Sequence, residues 1–154
     1  MIRDETDVMT RGNPRARRPS VGAMTGPVVP ESHIDLLTRP LIAHLGTVRP
    51  DGSPQVNPMW FSWDGTHLRF THTSERQKYR NVQADPRVSV AIDDPDRPPR
   101  FVELRGRVER IETDRDAAFY AELAERYSRK FDEPPSDAAV RVVLFVRPET
   151  AFWT

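Results

Sequence analysis

The chain has 154 residues, in which 23 lysine and arginine side chains balance 23 aspartate and glutamate side chains, and it contains no cysteine. A balanced charge argues against a general nucleic-acid binder or a membrane-surface protein. The absence of cysteine excludes disulfides, thiolate metal sites and a cysteine nucleophile. No apolar run approaches the roughly 18 residues of a membrane span, and no hydrophobic leader is present, so we predict a cytoplasmic protein.

The sequence predicts a disordered tail followed by one folded domain. Residues 1–30 hold glycine, proline, arginine and aspartate, few large apolar side chains and no periodicity, which is typical of disorder. Residues 31–154 carry the regular patterns and are long enough to bury a hydrophobic core.

Three helices are predicted, each beginning at a serine or threonine cap. They run from Ser32 to Arg39, from Thr73 or Ser74 to Asp85-Pro86, and from Thr113 to about Lys130, with Asp116 in a capping box.

Short apolar runs predict six strands separated by turn residues. The strands are Leu41–Val48, Pro54–Trp63, His67–Thr73, Val88–Asp93, Phe101–Ile111 and Ala139–Arg147. Asp51-Gly52 and Asp64-Gly65 are tight hairpin turns. Pro58 must lie at a sheet edge or a bulge, because it cannot donate to a ladder, and Gly106 indicates a bulge. With no βαβ repeat, this pattern predicts a mainly β protein: a six-stranded antiparallel barrel with peripheral helices.

The usual catalytic motifs are absent from the sequence. It contains no glycine-rich phosphate loop, no G-x-S-x-G and no HExxH. The four histidines lack ligand spacing, so no metal site is predicted. Asp93, Asp94 and Asp96 lie beside three prolines and are interpreted as turn residues rather than as a catalytic carboxylate pair.

The basic helix is the main candidate for a binding site. Arg76, Lys78 and Arg80 fall in its first turns, where free N–H groups and positive side chains favour an anion. Residues two apart on a helix are separated by roughly 200°, so Arg76 and Lys78 share one anion only if Arg76 lies in the loop or cap. The alternative is a solvated basic helix.

Polar residues on two strands extend this candidate site. If the strands pair as a meander, Gln55 and Asn57 lie near Thr71 and Thr73 and line one groove with the cations. Such a groove suits an extended anionic ligand with a flat polar ring system. His72 lies at the same strand end.

Three segments in order resemble one known family: Leu36–Gly65, Arg76–Val90 and Val102–Ile111. The chain resembles the split-barrel flavoproteins of the pyridoxamine 5′-phosphate oxidase-like superfamily. It is most similar to the actinobacterial branch of deazaflavin (coenzyme F420)-dependent oxidoreductases. The resemblance implies a split β-barrel of the FMN-binding type and a homodimer with two cofactor sites at its interface.

The resemblance also implies roles for particular residues. Arg76 and Lys78, with Asn81 close by, match the positions that hold the cofactor phosphate. Thr71 and Thr73 match the strand end that lines the same pocket, and Gln55 and Asn57 match the strand beside the ring system. Reduced F420 would then pass a hydride to an unidentified small-molecule acceptor.

One departure and two alternatives qualify what the resemblance implies. The chain ends in Val-Arg-Pro-Glu-Thr-Ala-Phe-Trp-Thr and lacks the closing Arg-Leu-Pro motif of true pyridoxamine phosphate oxidases, which argues against vitamin B6 oxidation. An FMN-binding flavoprotein is the first alternative, because both cofactors carry a phosphate. A non-catalytic carrier of a cofactor, haem or another tetrapyrrole is the second, because no acid–base residue stands out.

Overall fold

The computed structural model describes residues 27–154. The tail predicted over residues 1–30 therefore falls almost wholly outside the described residues. The strands are β1 (Ala43–Val48), β2 (Pro54–Met59), β3 (Phe61–Trp63), β4 (Leu68–Thr73), β5 (Arg87–Asp93), β6 (Phe101–Thr113) and β7 (Arg141–Trp153). The helices are α1 (Ile34–Thr38), α2 (Gln77–Ala84) and α3 (Ala118–Arg126), with one-turn 3₁₀ helices at Glu31–His33 and Ala138–Val140.

All seven strands form one antiparallel sheet in the order β2-β1-β5-β6-β7-β4-β3. The two ends of this order, β2 and β3, are joined on the chain by Trp60 alone. A flat seven-stranded sheet would separate its outer strands by about 29 Å, whereas one intervening residue spans at most about 7 Å. The sheet must therefore curl until its two ends meet, which gives the predicted split barrel.

The bend at Trp60 corrects the predicted strand count from six to seven. The segment Pro54–Trp63 is two strands, because β2 pairs with β1 while β3 pairs with β4. Pro58 lies on β2, which is an end strand, as predicted. The meander is wrong in one respect: β2 and β4 do not pair, and they approach each other only because the sheet curls.

The predicted turns and bulge are confirmed. Gly52 and Gly65 adopt the left-handed region, with φ of 85° and 94°, in the β1–β2 and β3–β4 turns. The register of β6 against β7 shifts between Arg105 and Gly106. Both strands are longer than predicted, because their mutual pairing continues to Thr113 and to Trp153.

The helix starts differ from the predicted caps. The Ser32 hydroxyl forms a hydrogen bond with Nδ1 of the neighbouring His33, at 2.9 Å, instead of capping the helix backbone. Helix α2 starts after Arg76, with no side-chain cap at Thr73 or Ser74. Helix α3 starts after Ala117 rather than at Thr113. Asp116 accepts a hydrogen bond from its first amide, and Asp114 accepts from the next two. The helix also ends at Arg126 rather than near Lys130.

Strand β7 separates two hydrophobic clusters. Val142, Leu144 and Val146 pack into the barrel core, whereas Val143 and Phe145 pack against Phe119 and Leu123 of α3. Successive side chains of a strand point to opposite faces, so a strand covered on both faces reads as a continuous apolar run. This explains the unbroken Val-Val-Leu-Phe-Val segment and fixes α3 on the outside of the barrel.

The carboxylates interpreted as turn residues have a structural role. Asp94 is 3% exposed and accepts hydrogen bonds from Arg39 at 3.2 Å and Arg100 at 2.8 Å. Its oxygen also accepts the Asp96 amide at 3.1 Å, as expected in a turn. Burial alone would raise the pKa of Asp94, but the hydrogen bond from Arg100 and its other partners lower it to about 2.

Within residues 27–154, no histidine, aspartate and glutamate side chains gather in a group of three or more that fits a metal ion.

Gly106 is expected to be intolerant of any side chain. A Cβ atom at this position would overlap the backbone carbonyl of Arg147 on β7, and the backbone cannot move away without breaking the ladder. We expect Gly106→Ala to lower the free energy of unfolding by about 1–3 kcal/mol in urea denaturation. Gly46→Ala is the matched control, because its Cβ would meet Ser89 at 3.4 Å, which is ordinary contact. Equal stability of the two variants would contradict the steric explanation.

Candidate functional site

A cavity of about 560 Å³ lies where the two ends of the curled sheet meet. Strand β2 and Trp60 form one wall, the end of β4 forms another, and the start of α2 and the start of β7 complete it. Its volume is within the range of roughly 300–1,000 Å³ that is usual for small-molecule sites. We call it the cationic cavity, for reasons given below.

Six of the seven predicted site residues line the cationic cavity. They are Gln55, Asn57, Thr71, Thr73, Arg76 and Lys78. The structure thus brings together side chains from β2, β4 and α2 that are up to 23 positions apart in the sequence, counted from Gln55 to Lys78. The remaining predicted residue, Asn81, does not line the cavity.

Asn81 is fully buried behind the cavity wall. Its amide nitrogen donates to Thr47 Oγ1 at 2.9 Å and to Gln55 Oε1 at 3.1 Å, and its oxygen accepts from Gln77 Nε2 at 2.9 Å. These bonds tie α2 to β1 and β2. Asn81 therefore positions the helix start and Gln55, and it does not itself face the cavity.

The start of α2 meets the geometric condition for a shared anion. Arg76 is the N-cap residue, with an extended backbone at φ −91° and ψ 158°, so it is not related to Lys78 by the helical rotation. The first N–H groups of a helix have no partner within the helix, and no side chain caps this one. The N–H groups and both side chains are available to one anion.

Lys78 is a buried basic residue of this cavity without an acidic partner within residues 27–154. Its side chain is 4% exposed, and its ammonium group donates to Met59 Sδ at 2.9 Å. No carboxylate of the described part of the chain forms an ion pair with it. Burial, with a smaller contribution from Arg76, lowers the pKa of Lys78 to about 8. A buried ammonium with only a thioether partner is unfavourable, so this position favours a bound anion.

His72 is buried beside these cations. It is 8% exposed, and its Nε2 atom has no hydrogen-bond partner among the described residues. Burial, followed by the charges of Lys78, Arg76 and Arg141, lowers the pKa of His72 to about 4. The imidazole is therefore neutral near pH 7 and is a poor proton donor there.

Sequence reasoning missed the contribution of β7 and of Trp60. Arg141 opposes Thr73 in the β4–β7 pairing, and its guanidinium donates to Thr71 Oγ1 at 3.0 Å and to Asp137 at 2.8 Å. The signal was an arginine at the start of an apolar strand, but the sequence does not reveal which strand lies beside it. With three basic side chains and one carboxylate, Asp137, the cavity is positively charged.

Residues 27–154 contain no helix that is long and apolar enough to cross a membrane.

Comparison with known proteins gives two kinds of match. A family model described as pyridoxamine 5′-phosphate oxidase matches residues 29–153. The search of curated proteins gave no match. Among solved structures, a protein named F420 reductase is 56% identical and has a TM-score of 0.79, with 80% of this chain and 98% of that chain covered.

More distant structures share the fold. The conserved hypothetical protein Rv2991 from Mycobacterium tuberculosis is 27% identical, with a TM-score of 0.64 and coverage of 83% of this chain and 86% of that chain. General Stress Protein 26 from Bacillus anthracis is 21% identical, with a TM-score of 0.62 and coverage of 80% and 91%, and this likeness shows the fold alone. Because the family model spans nearly all described residues and the F420 reductase is similar along its whole length, this chain belongs to the pyridoxamine 5′-phosphate oxidase family of split-barrel proteins.

Proposed function

We propose that this protein is an oxidoreductase in which reduced coenzyme F420 transfers a hydride to a small-molecule acceptor. The observation that carries the proposal is the buried Lys78 ammonium, which has a sulfur atom but no carboxylate as its partner. A bound anion compensates such a charge. The 56% identical protein named F420 reductase makes the deazaflavin the first candidate for that anion.

The lining residues fit the parts of this cofactor. We assign its phosphate to Lys78, Arg76 and the N–H groups at the start of α2. The amides of Gln55 and Asn57 and the hydroxyls of Thr71 and Thr73 are assigned to the polar edge of the ring system. When bound, the reduced deazaflavin supplies the hydride, and the protein binds it, orients it and excludes water.

The proton that follows the hydride is assigned to solvent. In the cofactor-free protein the pKa of His72 is about 4, mainly because of burial, which leaves too little imidazolium near pH 7 for efficient proton donation. The hydroxyl of Thr71 already accepts a hydrogen bond from Arg141. The buried His72 ring forms part of the cavity wall.

FMN is the second candidate cofactor. The matching family model is described as pyridoxamine 5′-phosphate oxidase, and the phosphate of FMN suits the same cations. Side-by-side fluorescence titration with F420 and FMN separates the candidates by affinity. Tight binding of either cofactor without turnover of any acceptor would favour the non-catalytic carrier.

We expect loss of the Lys78 charge to weaken F420 binding while leaving the fold intact. Lys78→Met removes a charge-assisted contact of about 1.5–3 kcal/mol, which corresponds to roughly 10- to 100-fold weaker binding. Its melting temperature without cofactor is expected to stay equal or rise, since a buried uncompensated charge is removed. Fluorescence titration and thermal denaturation measure these two effects.

Arg80→Met is the matched control for Lys78→Met, because Arg80 lies on the same helix but is exposed and does not line the cavity. Similar losses of affinity in both variants would indicate a general surface-charge effect and would contradict the assignment. Arg76→Met is expected to weaken binding less than Lys78→Met, since the exposed Arg76 is better screened.

The affinity for F420 is expected to fall above pH 8. The pKa of Lys78 is about 8 in the cofactor-free protein, and a bound anion raises it by favouring the ammonium form. Binding therefore takes up a proton between these two pKa values, and the affinity decreases by up to about tenfold per pH unit there. Titrations from pH 7 to about 9.5 test this, and Lys78→Met should give a flat profile. A steep profile in Lys78→Met would assign the effect to another group.

We further propose that the protein is a homodimer with its cofactor sites near the interface. An apolar groove of about 580 Å³ crosses β1, β2, β5 and β6 and shares Gln55 with the cationic cavity. Val56 is 64% exposed in this groove. An exposed apolar patch beside a ligand site is typical of an interface.

A cytoplasmic location remains a prediction.

Val56→Asp is expected to shift the protein from dimer to monomer in size-exclusion chromatography with light scattering, because it places a charge in an apolar interface. Cofactor affinity is expected to fall with it. Ile42→Asp is the control, since Ile42 is 41% exposed but does not line the groove. A monomeric parent protein, or an unchanged dimer in Val56→Asp, would contradict this interface.

A further inference from the structure

A second cavity, of about 490 Å³, lies between α3 and the segment that follows it. We call it the aromatic cavity, and its apolar lining includes Tyr120, Phe131, three alanines at 117, 121 and 124, and the prolines at 134 and 135. None of the residues that line it also lines the cationic cavity. The small alanines of α3 face a loop of proline and phenylalanine, which leaves a space with apolar walls.

The rings of this cavity offer a stacking surface. Phe131 is 54% exposed, yet its ring stacks on Tyr120 with centroids 5.5 Å apart and planes inclined by 23°. Tyr120 lies in turn 6.5 Å from Trp60, again inclined by 23°. Offset stacking of this kind is favourable for aromatic groups. An exposed ring that lines a cavity gives a planar ligand a face on which to stack.

The two cavities have opposite charge. Four carboxylates and two basic groups line the aromatic cavity: Asp116, Glu125, Asp132 and Glu133 against Arg129 and Lys130. The cationic cavity has the reverse excess, with three basic groups and one carboxylate. An anionic ligand is therefore favoured in the cationic cavity and disfavoured in the aromatic cavity.

Tyr120 connects the two cavities. Its ring lines the aromatic cavity, while the guanidinium of Arg141, which lines the cationic cavity, lies 4.0 Å from the ring centroid. Trp60, the other stacking partner of Tyr120, also lines the cationic cavity. A ligand in the aromatic cavity is thus separated from the cationic cavity by one layer of side chains.

We propose that the aromatic cavity is a second binding site, for planar aromatic molecules that are uncharged or cationic. The exposed ring of Phe131, supported from behind by Tyr120, favours planar ligands, and the excess of carboxylates disfavours anions. This site is defined by its own residues and does not depend on the proposed function.

Three fluorescent tricyclic probes of equal ring size test the site in the cofactor-free protein, with pyrophosphate in excess to keep the anionic probe out of the cationic cavity. They are 9-aminoacridine as the cation, 9-anthracenemethanol as the neutral probe and 9-anthracenecarboxylate as the anion. In fluorescence-anisotropy titrations we expect the cation and the neutral probe to bind about tenfold or more tightly than the anion, because like charges in a site are unfavourable. Equal or tighter binding of the anion would overturn the proposal.

Variants of Phe131 locate the bound probe. Phe131→Ala is expected to weaken the cation and the neutral probe roughly 3- to 10-fold through loss of aromatic stacking. Phe131→Leu, which keeps apolar area but removes the ring, should give an intermediate loss. Trp153→Ala is the matched control, because Trp153 is an exposed ring, 37% accessible, outside both cavities. Equal effects of Phe131→Ala and Trp153→Ala would contradict stacking at Phe131.

The preference of the aromatic cavity for a cation is tested separately. Glu125→Gln combined with Glu133→Gln is expected to lower the affinity for 9-aminoacridine several-fold and to leave the affinity for 9-anthracenemethanol unchanged. Glu31→Gln is the control, since Glu31 is exposed and lies in neither cavity. An unchanged affinity for the cation in the double variant would overturn the charge selection.

Competition separates this site from the cationic cavity. Pyrophosphate, used as an anionic probe of the cationic cavity, is expected not to displace 9-aminoacridine, and Lys78→Met is expected to bind the dye as the parent does. Displacement by pyrophosphate would place the dye in the cationic cavity and overturn the proposal. These titrations need no deazaflavin, so a protein that fails to bind F420 would refute the proposed function without affecting this result.

Discussion

The single-residue link between β2 and β3 governs the rest of the structure. Because Trp60 alone separates strands that lie at the two ends of the sheet order, the sheet has to curl until those ends meet. The cationic cavity is the space at that junction. Residues of β2 and β4 that share no ladder are brought to the same cavity, and the Trp60 ring packs on Tyr127, 5.0 Å away and nearly parallel. The feature that closes the barrel therefore also creates the site.

The burial of Lys78 is not what a solvated basic helix would show. A helix that only displays charge to water would keep all its basic side chains exposed, as Arg76 and Arg80 are. Lys78 is instead 4% exposed, which costs desolvation energy that the sulfur of Met59 offsets poorly. The Asn81 hydrogen bonds hold the helix start in this unfavourable arrangement before any ligand arrives. Such preorganisation reduces the entropy cost of ordering these side chains when an anion binds.

Local patterns predicted most of the fold, and long-range geometry limited the rest. Alternating apolar residues and the Asp-Gly turns identified the strands and hairpins, because both signals act within a few residues. The bend at Trp60 has no such local signal, so one predicted strand became two. The same limit applies to the site. Lys78 could be selected because the basic helix is visible in the local sequence. Arg141 was missed because only the β4–β7 pairing brings it beside Thr73. Asn81 was expected near the phosphate, but the direction of its side chain depends on the packing of α2 against β1.

The charge of the two cavities follows from which elements form them. The cationic cavity draws its basic groups from two elements, the start of α2 with Arg76 and Lys78 and the start of β7 with Arg141. The carboxylates beside the aromatic cavity come from α3 and the loops that flank it. Arg141 lies between these regions, paired with Asp137 on one side and packed on Tyr120 on the other. Arg141 therefore lines one cavity and contacts a ring that lines the other.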